Sequence, residues 1–415
     1  MAKFRIGQPP DPLSAPNPFA GAGVARLGDD FTDRDVERRD IARSLLTPRG
    51  HMLISGLRRI GKTSVLLAVQ DELRAAGHAV VYVDLWTAST LEDMTTRIAR
   101  AAAEALGRSW THLIREFGQR LKFSFEVSET SSGLLIPMPK LEFRDAPLLA
   151  QRERLVSAFE LLESLAKEKQ SHLSIILDEF QEIERLGAEG SGASAVSPLR
   201  QLRAVVQQQS HVTYAFAGSD TRLIAALQEK EGGALYNLAR RYAIGPIDPA
   251  HFGGWIEAQF RVMGINPDGR GQRFIDVAGP RTRDVRTLAE SVAEFVRETA
   301  RVTEESIVAG MLNILSERSA SYEMSWRPLT GLQQNVLRAV AAEGHGLARA
   351  ATRKAFALGD ASRVTKAIDA LVERDVLVRD GGRIVFDDPF YRGWVVVRVL
   401  PDVGRNHPVT YLPAQ

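Results

Sequence analysis

Two short stretches of this 415-residue chain carry residue types and spacings that can do chemistry. The first, Gly56-Leu-Arg-Arg-Ile-Gly61-Lys62-Thr63, fits the pattern G-x-x-x-x-G-K-[ST]. An apolar strand precedes it and an amphipathic helix follows, the context in which that pattern wraps phosphate. Glycines let backbone N–H groups turn inward, and the helix N-terminus adds its positive dipole end. The stretch assigned to nucleotide binding comprises Gly56, Arg58, Arg59, Ile60, Gly61, Lys62, Thr63 and Ser64. Lys62 is expected to reach the β- and γ-phosphates, and Thr63 to ligate Mg²⁺.

The second stretch is Ser174-Ile-Ile-Leu-Asp178-Glu179. An apolar run ending in a carboxylate places Asp178 at the C-terminal edge of a buried strand beside the phosphate loop, where it can hold the Mg²⁺ shell. Glu179 is then placed to orient or deprotonate an attacking water. Two further groups are candidates for sensing charge on the γ-phosphate. Ser219 follows the apolar run Val212–Ala217 in Gly218-Ser219-Asp220. Arg240 and Arg241 precede the last expected strand, and Arg241 is the candidate to stabilise transition-state charge, in its own chain or on a neighbour's nucleotide. A helix cap at Ser219 and a solvated charge pair at Arg240–Arg241 are the alternatives.

The elements that must position these groups follow from the hydrophobic pattern. Expected strands are His51–Ser55, Ala79–Leu85, Ser174–Leu177, Val212–Ala217 and Tyr242–Ile247, separated by amphipathic helices. Such alternation predicts an α/β fold, a parallel P-loop NTPase sheet with helices on both faces. The helix after Ser89 opens with a Ser89-x-x-Glu92 capping box, and the one after Thr63 stops at Gly77. Strict alternation at Leu121, Phe123, Phe125 and Val127, followed by Leu135–Phe143, predicts an antiparallel hairpin inserted at about 119–145. Gly187–Ser197 is expected to be a loop. Residues 1–30, with five prolines before residue 20, are expected to be an extended lead-in. The domain reading is therefore 31–249 for the phosphate-binding core, 250–322 for an all-helical segment and 323–415 for a winged helix.

In that last segment three short helices precede two strands around Asp380-Gly381-Gly382. Val364, Ile368, Leu371 and Val372 share one face of Ala361–Asp375, while Arg363 and Lys366 lie on the other. That polar face suits a DNA major groove, with Arg379 and Arg383 on the wing available for phosphates. Asp369, Glu373, Asp375 and Asp380 nearby oppose a duplex, so a protein partner is the other reading.

Composition excludes several function classes. The chain has no cysteine, so it has neither disulfides nor thiolate metal sites. Its eight histidines form no zinc-spaced pair, and no Gly-x-Ser-x-Gly elbow exists. No apolar run can span a membrane, and no secretory leader is evident, so cytoplasm is the expected location. Net charge is only +2, although 327–415 holds thirteen Arg and Lys against nine Asp and Glu. Any nucleic-acid contact must therefore come from a local patch.

Phe31-Thr-Asp-Arg34-Asp-Val-Glu37, ISGLRRIGKTS, IILDEFQEI, the Ala-Gly-Ser219 strand end and Phe386-Asp-Asp388-Pro389-Phe390 together resemble the archaeal-type ATPases. These belong to the STAND/AAA+ branch of P-loop NTPases and are relatives of origin-recognition ATPases. The likeness runs over roughly 30–400. It implies that 250–322 is a helical lid and that ATP and Mg²⁺ are the cofactors. It also implies that Phe31 and Arg34 close over the adenine and that Gly279-Pro280-Arg281 meets the nucleotide through Pro280 and either Arg281 or Arg283. The implied activity is an ATP-hydrolysing switch whose winged helix engages double-stranded DNA, a protein partner or another copy. A scaffold with little turnover and a DNA-activated transposition or defence ATPase are the alternatives.

Overall fold

The computed structural model describes residues 11–21, 23, 28, 31–107, 124–129, 135–140, 148–188, 197–219, 235–343, 347, 349–380 and 382–400. They form two compact units. One comprises 24–28 and 34–245; the other comprises 1–23, 29–33 and 246–415.

Short apolar runs build the sheet of the first unit: β1 (Met52–Ser55), β2 (Ala79–Asp84), β5 (Leu173–Asp178), β6 (Val212–Gly218) and β7 (Arg240–Ala243). The order is β2-β5-β6-β1-β7, and every pairing is parallel. Every residue of β1, β5 and β6 is buried, because helices cover both faces of a parallel sheet. Around it lie α1 (Asp35–Leu45), α2 (Lys62–Ala75), α3 (Leu91–Ala105), α4 (Leu148–Glu168), α5 (Glu182–Ala188) and α6 (Pro198–Val206). β3 (Ser124–Glu129) and β4 (Leu135–Lys140) pair antiparallel, giving the expected hairpin. Its side chains, most of the loop expected at 187–197, Asp220 and the wing residue Gly381 lie outside what the structure describes.

β6 lies between β1 and β5, so Asp178 reaches the phosphate loop across an intervening strand. Two sequence expectations change. Arg240 and Arg241 do not precede the last strand but open it, paired with Met52 and Leu53. The α3 cap is Thr90, whose hydroxyl accepts from Asp93 N at 3.1 Å, one residue beyond the Ser89 box. Burial decides that last point. Leu91 is fully buried, and Glu92, also buried, pairs with Arg154 of α4 instead of turning back to the cap.

The second unit is helical: α7 (Pro249–Val262), α8 (Gly271–Ala278), α9 (Thr282–Phe295), α10 (Glu304–Glu317) and α11 (Ser319–Trp326). Then come α12 (Gly331–Glu343), α13 (Ala350–Ala355), α14 (Ala361–Glu373), the antiparallel pair β8 (Leu377–Asp380) and β9 (Arg383–Phe386), and α15 (Pro389–Trp394). Three helices followed by two strands are the winged-helix order read from the sequence. One hydrophobic core runs through the helices and the winged helix, from Phe252 and Val285 to Leu371 and Val396. The proline-rich lead-in is anchored to it. Phe19 is buried against the rings of Phe260 and Trp255, and Arg297 donates to the carbonyls of Pro12 and Ala15. No described helix is long and apolar enough to cross a membrane.

Candidate phosphate-binding site

The loop between β1 and α2 owes its shape to sequence. Gly61 has φ +95° and Arg59 φ +66°, so the chain reverses through left-handed positions before Lys62 opens the helix. A Cβ at Gly56 would lie 2.6 Å from the carbonyl oxygen of Ile244, so only glycine fits against the chain leaving β7. Lys62 is buried, and its Nζ donates to the carbonyls of Gly56 and Leu57 at 2.9 and 3.1 Å. The ammonium thus sits inside the bend of the loop, where phosphate oxygens would be held.

The carboxylate motif reaches the same place across the intervening strand. Thr63 Oγ1 donates to Asp178 Oδ2 at 2.7 Å. Tyr82 on β2 donates its hydroxyl to the same oxygen at 2.9 Å, and Glu179 N donates to Oδ1 at 3.0 Å. Asp178 is only 2% exposed. Burial pushes its pKa up, the hydrogen bonds from Thr63 and Tyr82 pull it back, Glu179 raises it and Lys62 lowers it. Burial and the adjacent Asp178 also hold the Tyr82 phenol well above its ordinary range, so it stays a donor.

Glu179 adopts φ +51°, an uncommon conformation for a residue with a side chain. Its carboxylate accepts from Ser219 Oγ at 2.9 and 3.3 Å and from the Gln181 amide. Gly218 makes this approach possible, since a Cβ there would lie 2.3 Å from Gln181 Oε1. The turn is fastened to the end of β6 by Phe180 N donating to Ala217 O at 3.0 Å.

The structure therefore brings together Gly56, Gly61, Lys62, Thr63, Asp178, Glu179 and Ser219, as their motifs imply. Arg58, Arg59 and Ile60 lie in the same loop, and Ser64 in the first turn of α2. Arg241 faces Leu53, three residues before Gly56, about 10 Å along the strand from the loop. Arg34 is buried and bonded to backbone carbonyls and Glu37. Phe31, Pro280 and Arg281 belong to the helical unit. There Arg281 is buried, with Nη1 on Asp387 Oδ1 at 2.9 Å and on the Asp387 carbonyl. Arg283 is exposed.

Sequence reasoning missed Tyr82 and Gln181. A tyrosine inside an aliphatic strand, with its hydroxyl needing a partner, is the signal for Tyr82. Gln181 follows the acidic motif too closely for its role to be separable from turn formation.

Hard oxygen donors from Thr63 and Asp178, an ammonium and a loop of N–H groups fit a nucleotide polyphosphate with a divalent cation. Among the described residues no three His, Asp or Glu side chains group as a metal cage. A cation at Thr63 and Asp178 would therefore take its other ligands from phosphate and water, as Mg²⁺ does.

Comparison with known proteins gives a family and a fold. Residues 31–261 match the family model described as "ATPase domain predominantly from Archaea". Residues 320–396 match one described as "Probable winged helix domain". Among solved structures, the Walker-type ATPase of Pyrococcus abyssi aligns with TM-score 0.61 at 17% identity, over 91% of this chain and 99% of that one. The Aeropyrum pernix ORC2 protein, solved as ADPNP-ADP complexes, aligns with TM-score 0.47 at 14% identity, over 96% and 99%. At 17% identity the likeness to the Pyrococcus protein is one of fold. A search of curated proteins gives no match. With a nucleotide-phosphate site assembled on a five-stranded parallel sheet, and a family match over more than half its length, the chain belongs to the family of ATPase domains found predominantly in Archaea.

Proposed function

We propose that the chain hydrolyses ATP with Mg²⁺ at the Gly56–Thr63 and Asp178–Glu179 site, and that nucleotide state switches the protein between forms that differ in partner binding. The observation that carries the reading is the 2.7 Å contact of Thr63 with Asp178, which joins the two motifs across an intervening strand. Thr63 and Asp178 would hold Mg²⁺, which would supply positive charge against that developing on the phosphates. The chain's own residues do the rest. Lys62 neutralises the phosphates, Thr63 and Asp178 hold the cation, and Glu179 orients or deprotonates the attacking water. In the arrangement described, Ser219 and Gln181 occupy the Glu179 carboxylate. Both close bonds fall on Oε2, which leaves lone pairs on Oε1 for the water, and a partner that turns either donor away would free Oε2 as well.

Duplex DNA is the partner we favour, through Arg363 and Lys366 on α14 with Arg379 and Arg383 on the wing. All four are exposed. A protein partner or another copy is the alternative, and in an assembly of copies Arg241 would act on a neighbour's nucleotide. The same hold on Glu179 by Ser219 and Gln181 also supports a second reading, a nucleotide-gated scaffold with little turnover.

The test is ATP turnover with Mg²⁺, with and without duplex DNA, for the wild type and Glu179→Gln. The switch reading expects turnover that falls roughly 10²–10⁴-fold in the variant, the worth of a general base, with ATP binding kept. Stimulation by the duplex would tie the switch to DNA. Tight ATP binding without turnover under either condition would favour the scaffold.

A further inference from the structure

Two of the places where the chain passes between its two units are Asp33–Arg34 and Gly245–Pro246. One guanidinium holds both places. Arg34 is 3% exposed, and its Nη2 donates to the carbonyl of Gly245 at 2.7 Å and to that of Ile60, inside the phosphate loop, at 3.2 Å. Its Nη1 donates to Glu37 at 2.6 Å. A second contact runs parallel to the first. Ile244 N donates to Ser55 O at 2.8 Å, and the Ile244 carbonyl lies so close to Gly56 that no Cβ fits between them. Both ends of the phosphate loop, Gly56 and Ile60, are thus fastened to the segment that leaves β7. The first crossing is also held under local strain, since Asp33 and Arg34 take φ +60° and +75°. Two consecutive side-chain-bearing residues in that region persist only where the surroundings enforce them.

We infer that Arg34 couples the phosphate loop to these two of the chain crossings, and that it does this instead of touching the nucleotide. Phosphate binding draws the loop's N–H groups inward and so moves the Ile60 peptide. The guanidinium bonded to Ile60 is also bonded to Gly245, so the displacement passes to the second crossing, while the Arg34 backbone is itself the first. The task requires arginine. A planar fork with five donors can hold two carbonyls and a carboxylate at once, and a lysine ammonium cannot span them in that geometry. The inference rests on the nucleotide-switch reading and adds the route by which the switch leaves the site.

The absence of native cysteine makes the test direct, because a label pair goes only where it is placed. Glu104→Cys on α3 and Met324→Cys on α11 are exposed positions, one in each unit. Spin-label distances are measured with and without saturating Mg²⁺ and a non-hydrolysable ATP analogue, in otherwise wild-type protein and in Arg34→Lys. Calorimetry with the same analogue reports affinity. The expected result is a distance distribution that shifts on binding in the parent and loses at least half of that shift in Arg34→Lys at saturation, with the analogue still bound. Glu37→Gln, which keeps Arg34 but releases Nη1, is expected to lose less in the same direction, and it serves if Arg34→Lys does not fold. A full shift in these variants, or loss of analogue binding in Arg34→Lys while the parent binds, would overturn the coupling role. Binding without any shift in the parent would overturn it too, leaving the nucleotide site in place. A parent that binds no analogue would overturn both readings.

Discussion

Asp178 is almost fully buried, yet it must be ionised to hold a cation. Burial raises its pKa, and the Thr63 and Tyr82 hydroxyls only partly offset that cost. With the folded pKa above the unfolded one, the folded state binds more protons across that window, and stability falls as pH rises through it. Below the ordinary carboxylate range both states are protonated and the penalty vanishes. Asp178→Asn is therefore expected to melt at a higher temperature than wild type near neutral pH, with the gap closing as pH is lowered past that range. Thermal unfolding across pH in Mg²⁺-free buffer checks this; an equal gap at acid pH would mean that the carboxylate's charge is not the cause. Tyr82 and Thr63 converge on one oxygen of this group, so part of the site's preorganisation comes from a strand that carries no motif.

The α3 cap shows how an element's boundary is chosen. Ser89 and Thr90 are both competent caps, and the sequence favoured Ser89 because Glu92 stands three residues on. Burial of Leu91 and the ion pair of Glu92 with Arg154 move the start by one residue. Thr90→Ala is expected to cost about 1 kcal/mol, the usual loss for a side-chain cap. Ser89→Ala should stay within about 0.5 kcal/mol, as for a surface change away from such features. Urea unfolding of the two variants separates them, and the reverse order would restore the Ser89 box. β7 shows a second element-level choice. As the sheet's exposed edge it opens with Arg240 and Arg241, and charges there discourage pairing with another chain's strand. Their positions in the strand are explained by that role without reference to catalysis.

At the scale of the molecule, charge decides whether the winged helix meets DNA. Net charge is near neutral, and local acids compete for the candidate arginines: Arg363 lies 3.8 Å from Asp360, and Arg379 is bonded to Asp369. Duplex phosphates must displace these partners, although such exposed pairs are worth little, about 0–1 kcal/mol each. The proposal expects the Arg363→Ala/Lys366→Ala double variant to bind duplex more weakly at all sequences. The slope of log affinity against log salt should become shallower by about 2, near one unit per lost phosphate contact. An unchanged slope would assign this face to a protein. The second unit bears on the same question, since the helical segment and the winged helix share a core that the lead-in also joins through Phe19. Rearrangement within that unit would break packed apolar contacts, so a nucleotide-driven change is more readily placed at the crossings held by Arg34.

Sequence alone determined the two motifs, the alternating α/β order, the hairpin and the winged-helix order, because each is written in local spacing and turn chemistry. Gly56, Gly61, Lys62 and Thr63 are contiguous, and Asp178 and Glu179 follow a run whose burial is evident from composition. Only the tertiary structure decided which strands are neighbours, that Tyr82 supports Asp178 from 96 residues away, and that Ser219 and Gln181 hold Glu179. It also paired Arg241 with Leu53 in the sheet and turned Arg34 toward the carbonyls of Ile60 and Gly245. The physical reason is common to these cases. A side chain's partners are set by strand order and burial, which depend on contacts between residues far apart in the chain, and no local pattern of residue types encodes them.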